Sequence, residues 1–164
     1  MDIEIIDFNI KYSKQIYELQ TSQWGMWDDE HPIEKIEDDE IFLIALYEQK
    51  FAGFISGKLE GDTFHILICC IKPEFQKKGL GTILTKTIIE KAKRMFSFSK
   101  FRAEAISVYG KCNGRKALEN LGFNLVRIDE KYWGQLYPHV ECKECFKSPC
   151  ECDSLVFELE NKII

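Results

Sequence analysis

Four cysteines fall within eleven residues of this 164-residue chain, in the pattern Cys142-x2-Cys145-x4-Cys150-x-Cys152. Four thiolates at that density supply the tetrahedral, all-sulfur shell of structural zinc, with sulfurs about 2.3 Å from the ion. A zinc ribbon separates its cysteine pairs by about 15–20 residues, so the spacing predicts a tighter, knuckle-like loop turned at Pro149. Iron–sulfur, a redox disulfide pair and free thiols are the alternatives. A closed shell of four thiolates leaves no position for a substrate, so the expected role is structural. Cys69, Cys70 and Cys112 read as small buried hydrophobes.

A second stretch carries different chemistry. In Ile71-Lys72-Pro73-Glu74-Phe75-Gln76-Lys77-Lys78-Gly79-Leu80-Gly81-Thr82 a strand stops at proline, a loop follows, and a long helix begins at two glycines. A helix leaves its first backbone N–H groups unpaired, and its dipole makes that end partly positive. Glycines remove the side chains that would keep a phosphate away, and Lys77 and Lys78 add positive charge. The stretch reads as a pyrophosphate cradle. It lacks the third glycine of the dinucleotide fingerprint and the GxxxxGK[ST] pattern of a P-loop.

Gln76-Lys77-Lys78-Gly79-Leu80-Gly81 fits every fixed position of Q/R-x-x-G-x-G/A and resembles the signature of the GNAT superfamily of acyl-CoA-dependent N-acyltransferases. The flanking strand ending in Lys72-Pro73-Glu74, the long helix, and Leu121-Gly122-Phe123 further on agree with it. The resemblance covers roughly residues 1–131 and 154–160. It implies a central mixed, mostly antiparallel sheet flanked by helices, with acetyl-CoA in a V-shaped gap beside the third β run. Backbone amides of Cys69, Cys70 and Ile71 would hold the pantetheine and the thioester oxygen. The segment Gln76, Lys77, Lys78, Gly79, Leu80, Gly81 and Thr82 would hold the pyrophosphate. Cys112 is eligible to lie near the thioester.

Transfer to an amine needs a free lone pair, and deprotonating an alkyl ammonium of pKa near 10 at neutral pH costs roughly 4–5 kcal/mol. Some family members place a glutamate eleven residues before the signature's first residue; His65 stands there. An imidazole suits proton abstraction at neutral pH. A strand histidine satisfied by a neighbouring carbonyl is the alternative for His65, and a water chain ending on Glu60 or Asp62 is a rival base. For the acid, the family's tyrosine and asparagine positions fall on Leu118 and Lys111, which depart from the pattern. Tyr109 or Tyr132 stands in, or the thiolate leaves unassisted. The family's acceptor wall corresponds to Trp24, Trp27, Asp28, Asp29 and Glu30, suited to a cationic amine. A solvated acidic loop with Trp24 in the core is the alternative. The cysteine insertion is expected to pin the last hairpin beside the acceptor site.

These groups must be positioned by a core. With 45% hydrophobic residues the chain can build one without disulfides, and a single domain over 1–164 is expected, with the Cys-rich insertion at about 138–153. Twenty-seven acids against 22 bases give a net charge of −5, which argues against a nucleic-acid binder. No apolar h-region follows Met1, and the run from Phe64 to Ile71 is too short to span a bilayer. A cytoplasmic protein is expected, acting on an amine-bearing small molecule or peptide, with a homodimer kept open. A non-catalytic acyl-CoA-binding module stabilised by zinc is the alternative function.

Period-two runs predict strands at Ile3–Phe8, Ile41–Tyr47, Phe51–Leu59, Thr63–Lys72, Phe101–Val108, Phe123–Ile128 and Leu155–Leu159. Helices are expected from a Ser13 cap through Trp24, after Pro32, from Gly79 through Met95, and from an Asn113 cap to Leu121, with Gly122 as its stop. The fold class is mixed α/β.

Overall fold

The computed structural model describes residues 2–24 and 31–162, with Trp24 described by its backbone alone. Seven strands form one sheet in the order β1-β2-β3-β4-β5-β7-β6: β1 Ile3–Asp7, β2 Glu40–Tyr47, β3 Lys50–Glu60, β4 Thr63–Ile71, β5 Lys100–Ser107, β6 Asn124–Asp129 and β7 Asp153–Glu160. Among the described residues every strand pairing is antiparallel except β4 with β5. The helices are α1 Ser13–Trp24, α2 Leu80–Met95, α3 Arg115–Asn120 and α4 Tyr132–Leu136.

One sheet face packs on α2 and α3. Leu80, Leu84, Ile88 and Ala92 recur every fourth residue of α2 and are fully or almost fully buried against Phe64, Phe101 and Phe157. Burying such aliphatic side chains stabilises by about 1.5–3 kcal/mol each. Thr85 and Ile89 widen the buried face of α2, and Ile83 and Met95, expected on the same stripe, lie off it, exposed. The other face packs on α1 through Ile16 and Leu19 against Phe42, Phe54 and Cys70.

Three local expectations are corrected. Ser13 does not cap α1: a 3-10 turn, Ile10–Tyr12, precedes it, Asn9 accepts the Lys11 amide at 3.1 Å, and the Ser13 hydroxyl donates to the Ile33 carbonyl. No helix forms after Pro32: the Ser13 hydroxyl fixes the Ile33 carbonyl, and Ile33 and Ile36 pack on the α1-side core. Asn113 does not cap α3, where Gly114 holds the cap position without a side-chain bond. The stop at Gly122 is as expected. Its φ of +92°, with Gly122 N–H on the Glu119 carbonyl and Phe123 N–H on the Leu118 carbonyl, is a Schellman motif. Helix α4 was not foreseen.

The two central strands part company. The parallel ladder runs only from Thr63–Lys100 to Ile66–Ala103. Directly after it the register of β4 against β3 slips, with Ile66 opposite Gly57 but Ile68 opposite Ser56, so Leu67 is an extra residue. Such a bulge bends its strand. Beyond it β4 keeps β3 on one side and leaves its other edge open, while β5 continues beside β7.

Candidate functional site

A cavity of about 990 Å³ occupies the gap between β4 and β5 and is reached from both faces of the sheet. On the helical face its walls include Gly81 and Thr85 of α2 and Ala117 and Leu118 of α3. On the opposite face they include His65, Arg102, Glu104, Trp133, Tyr137 and His139.

At the head of α2, Lys77 and Gly79 take positive φ, +58° and +82°, which turns the chain from a 3-10 turn at Pro73–Phe75 into the helix. The first helix-closing bond runs from Ile83 N–H to the Gly79 carbonyl at 3.0 Å. The amides of Leu80, Gly81 and Thr82 therefore precede any helical acceptor. A Cβ built on Gly81 would meet nothing within 4 Å, so that side of the turn is open. Gln76 does not reach outward: its Nε2 donates to the Ile71 carbonyl at 3.0 Å. Lys78 Nζ lies 4.6 Å from the centroid of the Tyr47 ring.

Along β4, Cys69 opens on the cleft, Cys70 is buried and Ile71 closes the strand. Burial raises the Cys70 thiol, and the surrounding chain raises that of Cys69 although Cys69 is exposed to the cleft. Both stay thiols, poor nucleophiles that suit a wall. His65 stands one strand-step before the parting, opposite Arg102 across the ladder, with Nε2 3.6 Å from Glu60 Oε2. Arg102 is committed elsewhere, donating to Glu158 Oε1 at 3.0 and 2.6 Å. Glu158 also accepts from Lys100 at 3.1 Å.

Tyr109 does not enter the cleft. It sits at φ +48° in the turn between Val108 and Lys111, 67% exposed. Tyr132 packs edge-on to Trp133 at 5.1 Å. The cleft walls hold Tyr137, Glu104 and His139, none foreseen from the sequence. Glu104 was legible in principle, since strand alternation from buried Phe101 and Ala103 sends Arg102 and Glu104 to the His65 face. Trp27, Asp28, Asp29 and Glu30, and the side chain of Trp24, lie outside the described residues.

The four predicted cysteines are brought together. Their sulfurs all lie within 4.8 Å of one another, Cys142 to Cys152 at 3.8 Å and Cys145 to Cys150 at 3.9 Å. A tetrahedral zinc with bonds of 2.3 Å has sulfur–sulfur edges of about 3.8 Å. Backbone amides of Glu144, Glu151 and Cys152 donate to the sulfurs of Cys142, Cys145 and Cys150 at 3.4 Å, the support that thiolate ligands receive.

The family model described as Acetyltransferase (GNAT) family matches residues 13–114. The chain belongs to the GNAT acetyltransferase family. It is an acyltransferase, and its seven-stranded, mostly antiparallel sheet flanked by helices is the GNAT fold. Solved GNAT structures match it over nearly their whole length. The ribosomal-protein-S18-alanine N-acetyltransferase of Escherichia coli has a TM-score of 0.73 at 15% identity, over 99% of this chain and 96% of that one. A Bacillus subtilis acetyltransferase in complex with CoA has 0.74 at 19%, over 98% and 100%. Arabidopsis thaliana NAA60, in complex with a bisubstrate analogue, has 0.74 at 10%, over 98% and 100%. At these identities the likeness is one of fold. No curated protein matches the chain by sequence. Among the described residues no helix is long and apolar enough to cross a membrane.

Proposed function

We propose that the protein is an N-acetyltransferase that moves the acetyl group of acetyl-CoA directly to a primary amine. The observation that carries this is the continuous cavity that passes between β4 and β5, with the head of α2 on one face and His65 and Glu104 on the other. A donor and an acceptor entering from opposite faces would meet beside the open edge of β4. The amides of Leu80, Gly81 and Thr82, with Lys77, suit the pyrophosphate, and the β4 edge at Cys69–Ile71 suits the pantetheine and the thioester oxygen.

In this reading His65, directly or through one water, takes the proton of the ammonium, and Glu60 stabilises the imidazolium that results. The amine lone pair attacks the thioester carbon, a C–N bond forms, and the oxyanion rests on β4 amides. The C–S bond then breaks, and the remaining extra proton of the amine nitrogen passes, directly or through a cleft group or water, to the departing thiolate. With Tyr109 outside the cleft, the tyrosine on its wall is Tyr137. Glu104 is the rival base. Cys142, Cys145, Cys150 and Cys152 would hold a structural zinc, as their near-tetrahedral sulfurs suit. Thiols kept reduced fit a cytoplasmic protein.

The acceptor is an amine-bearing small molecule or a peptide, the latter in the manner of the S18-alanine enzyme. The test is CoA release from acetyl-CoA with a panel of a free-amino-terminus peptide, lysine amide, spermidine and glucosamine. Amine-dependent release with mass gain on the amine supports transfer. Binding of CoA with no amine-dependent release favours the non-catalytic acyl-CoA-binding module.

A further inference from the structure

The cysteine centre is also a wall of the cleft. Cys142 and Cys150 line it together with Trp133, His139, Val140 and Lys143. Helix α4 is seated on the centre at Gly134, where a Cβ would come within 2.1 Å of the Cys150 carbonyl oxygen and 3.0 Å of its nitrogen. Cys145, Cys150 and Cys152 are buried with Trp133 and with Ile106 and Val108, the last residues of β5 and its extension. Trp133 Nε1 is buried with no acceptor among the described residues, so packing and not hydrogen bonding seats this plate.

Little else organises the segment. Between β6 and β7 it has one five-residue helix and local turns, such as Cys142 N–H on the Lys147 carbonyl and Phe146 N–H on the Cys142 carbonyl. Without a cation, only these local turns and the packing on Trp133 hold the four sulfurs together. A metal ion would change that by replacing thiol protons with four bonds and releasing those protons to solvent. The pyrophosphate loop, by contrast, is built from β4 and α2 on the far face of the sheet.

We infer that zinc bound by Cys142, Cys145, Cys150 and Cys152 sets the acceptor wall through the seat of Gly134 on Cys150, so that metal loading governs acceptor affinity and leaves acetyl-CoA affinity alone. The inference rests on the acetyltransferase reading for its kinetic consequence, but its structural half stands apart from that reading.

The experiment uses the full chain as purified, after metal removal by a chelator, and after zinc is restored, beside Gly134→Ala, which keeps all four cysteines. About one zinc per chain is expected, exchangeable for cobalt with a tetrathiolate charge-transfer spectrum. Removal should leave CoA affinity unchanged by calorimetry, raise the KM of the best panel amine by about 10- to 100-fold, and be reversed by zinc. Gly134→Ala, whose Cβ cannot fit against the Cys150 backbone, should show the same rise in KM at any metal content it retains, and an unchanged KM in this variant would overturn the inference. Hydrogen exchange should increase in residues 132–152 on metal removal and not in α2. Absence of bound or bindable zinc, an unchanged KM after removal, or loss of CoA affinity in parallel would overturn the inference. If no amine is acetylated, the acetyltransferase reading fails, and hydrogen exchange still decides the wall: protection indifferent to zinc overturns it.

Discussion

Gln76 holds the end of the strand before it: its side-chain amide donates to the carbonyl of Ile71 at 3.0 Å. The same carbonyl accepts Gln23 Nε2 of α1 at 2.8 Å. The first residue of the glycine loop thus fixes the distance between the open edge of β4 and the head of α2, and leaves the loop's backbone amides for a ligand.

That bond gives a measurable consequence. Gln76→Ala should weaken CoA binding through loop placement, not through a lost ligand contact. A single neutral hydrogen bond is worth about 0.5–1.5 kcal/mol, which corresponds to roughly 2- to 10-fold in Kd. Calorimetry with CoA checks it, and the melting temperature should barely change because Gln76 is exposed.

His65 and Glu104 face the same side of the cleft, and their amide variants separate their roles. If His65 is the base, His65→Gln should lower kcat by about 100- to 10,000-fold and remove the acid limb of the pH–rate profile, with the KM for acetyl-CoA unchanged. Glu104→Gln should then cost much less. The reverse order would assign the base to Glu104.

Glu158 ties β7 to β5 through Arg102 and Lys100. The hydrogen bond from Arg102 does most to hold its carboxyl below the usual carboxylate value of 4.5; burial, the next influence in size, opposes it, and Lys100 adds to the lowering. A lowered folded pKa means that the contribution is complete above the unfolded value and is lost as pH falls through the folded one. Glu158→Gln should cost about 1–3 kcal/mol at neutral pH, read as a drop in denaturant midpoint. The gap from the parent should narrow steadily below about pH 4.5. A gap that is constant with pH would contradict the assignment.

The sheet was legible because its strands are short apolar runs, joined by tight turns from β2 to β4, and Gly122 announced the end of α3 because glycine takes the positive φ required there freely. The cysteine quartet was legible because ligand chemistry fixes residue type and spacing. What could not be read was relative position. The parting of β4 from β5 depends on one extra residue at Leu67, which no local pattern distinguishes from an ordinary strand residue. Tyr109 and Tyr132 were the candidate acids in sequence and Tyr137 was not among them; only the turn at Val108–Lys111, which sends Tyr109 to solvent, and the end of α4, which brings Tyr137 to the cleft, separate them. The absence of a helix after Pro32 was hidden for a similar reason: the segment is held by residues distant in sequence, through the Ser13 hydroxyl on the Ile33 carbonyl and the packing of Ile33 and Ile36.

The most direct test of the account is calorimetry of CoA with Gly81→Glu beside the parent. Nothing lies within 4 Å of the added Cβ, and a carboxylate in the first turn of α2 favours the helix, so the variant should melt at or above the parent temperature. Its negative charge would stand where the diphosphate must approach, so CoA binding should disappear. A variant that binds CoA as tightly as the parent would contradict the placement of the pyrophosphate at the head of α2 and the enzyme mechanism built on it.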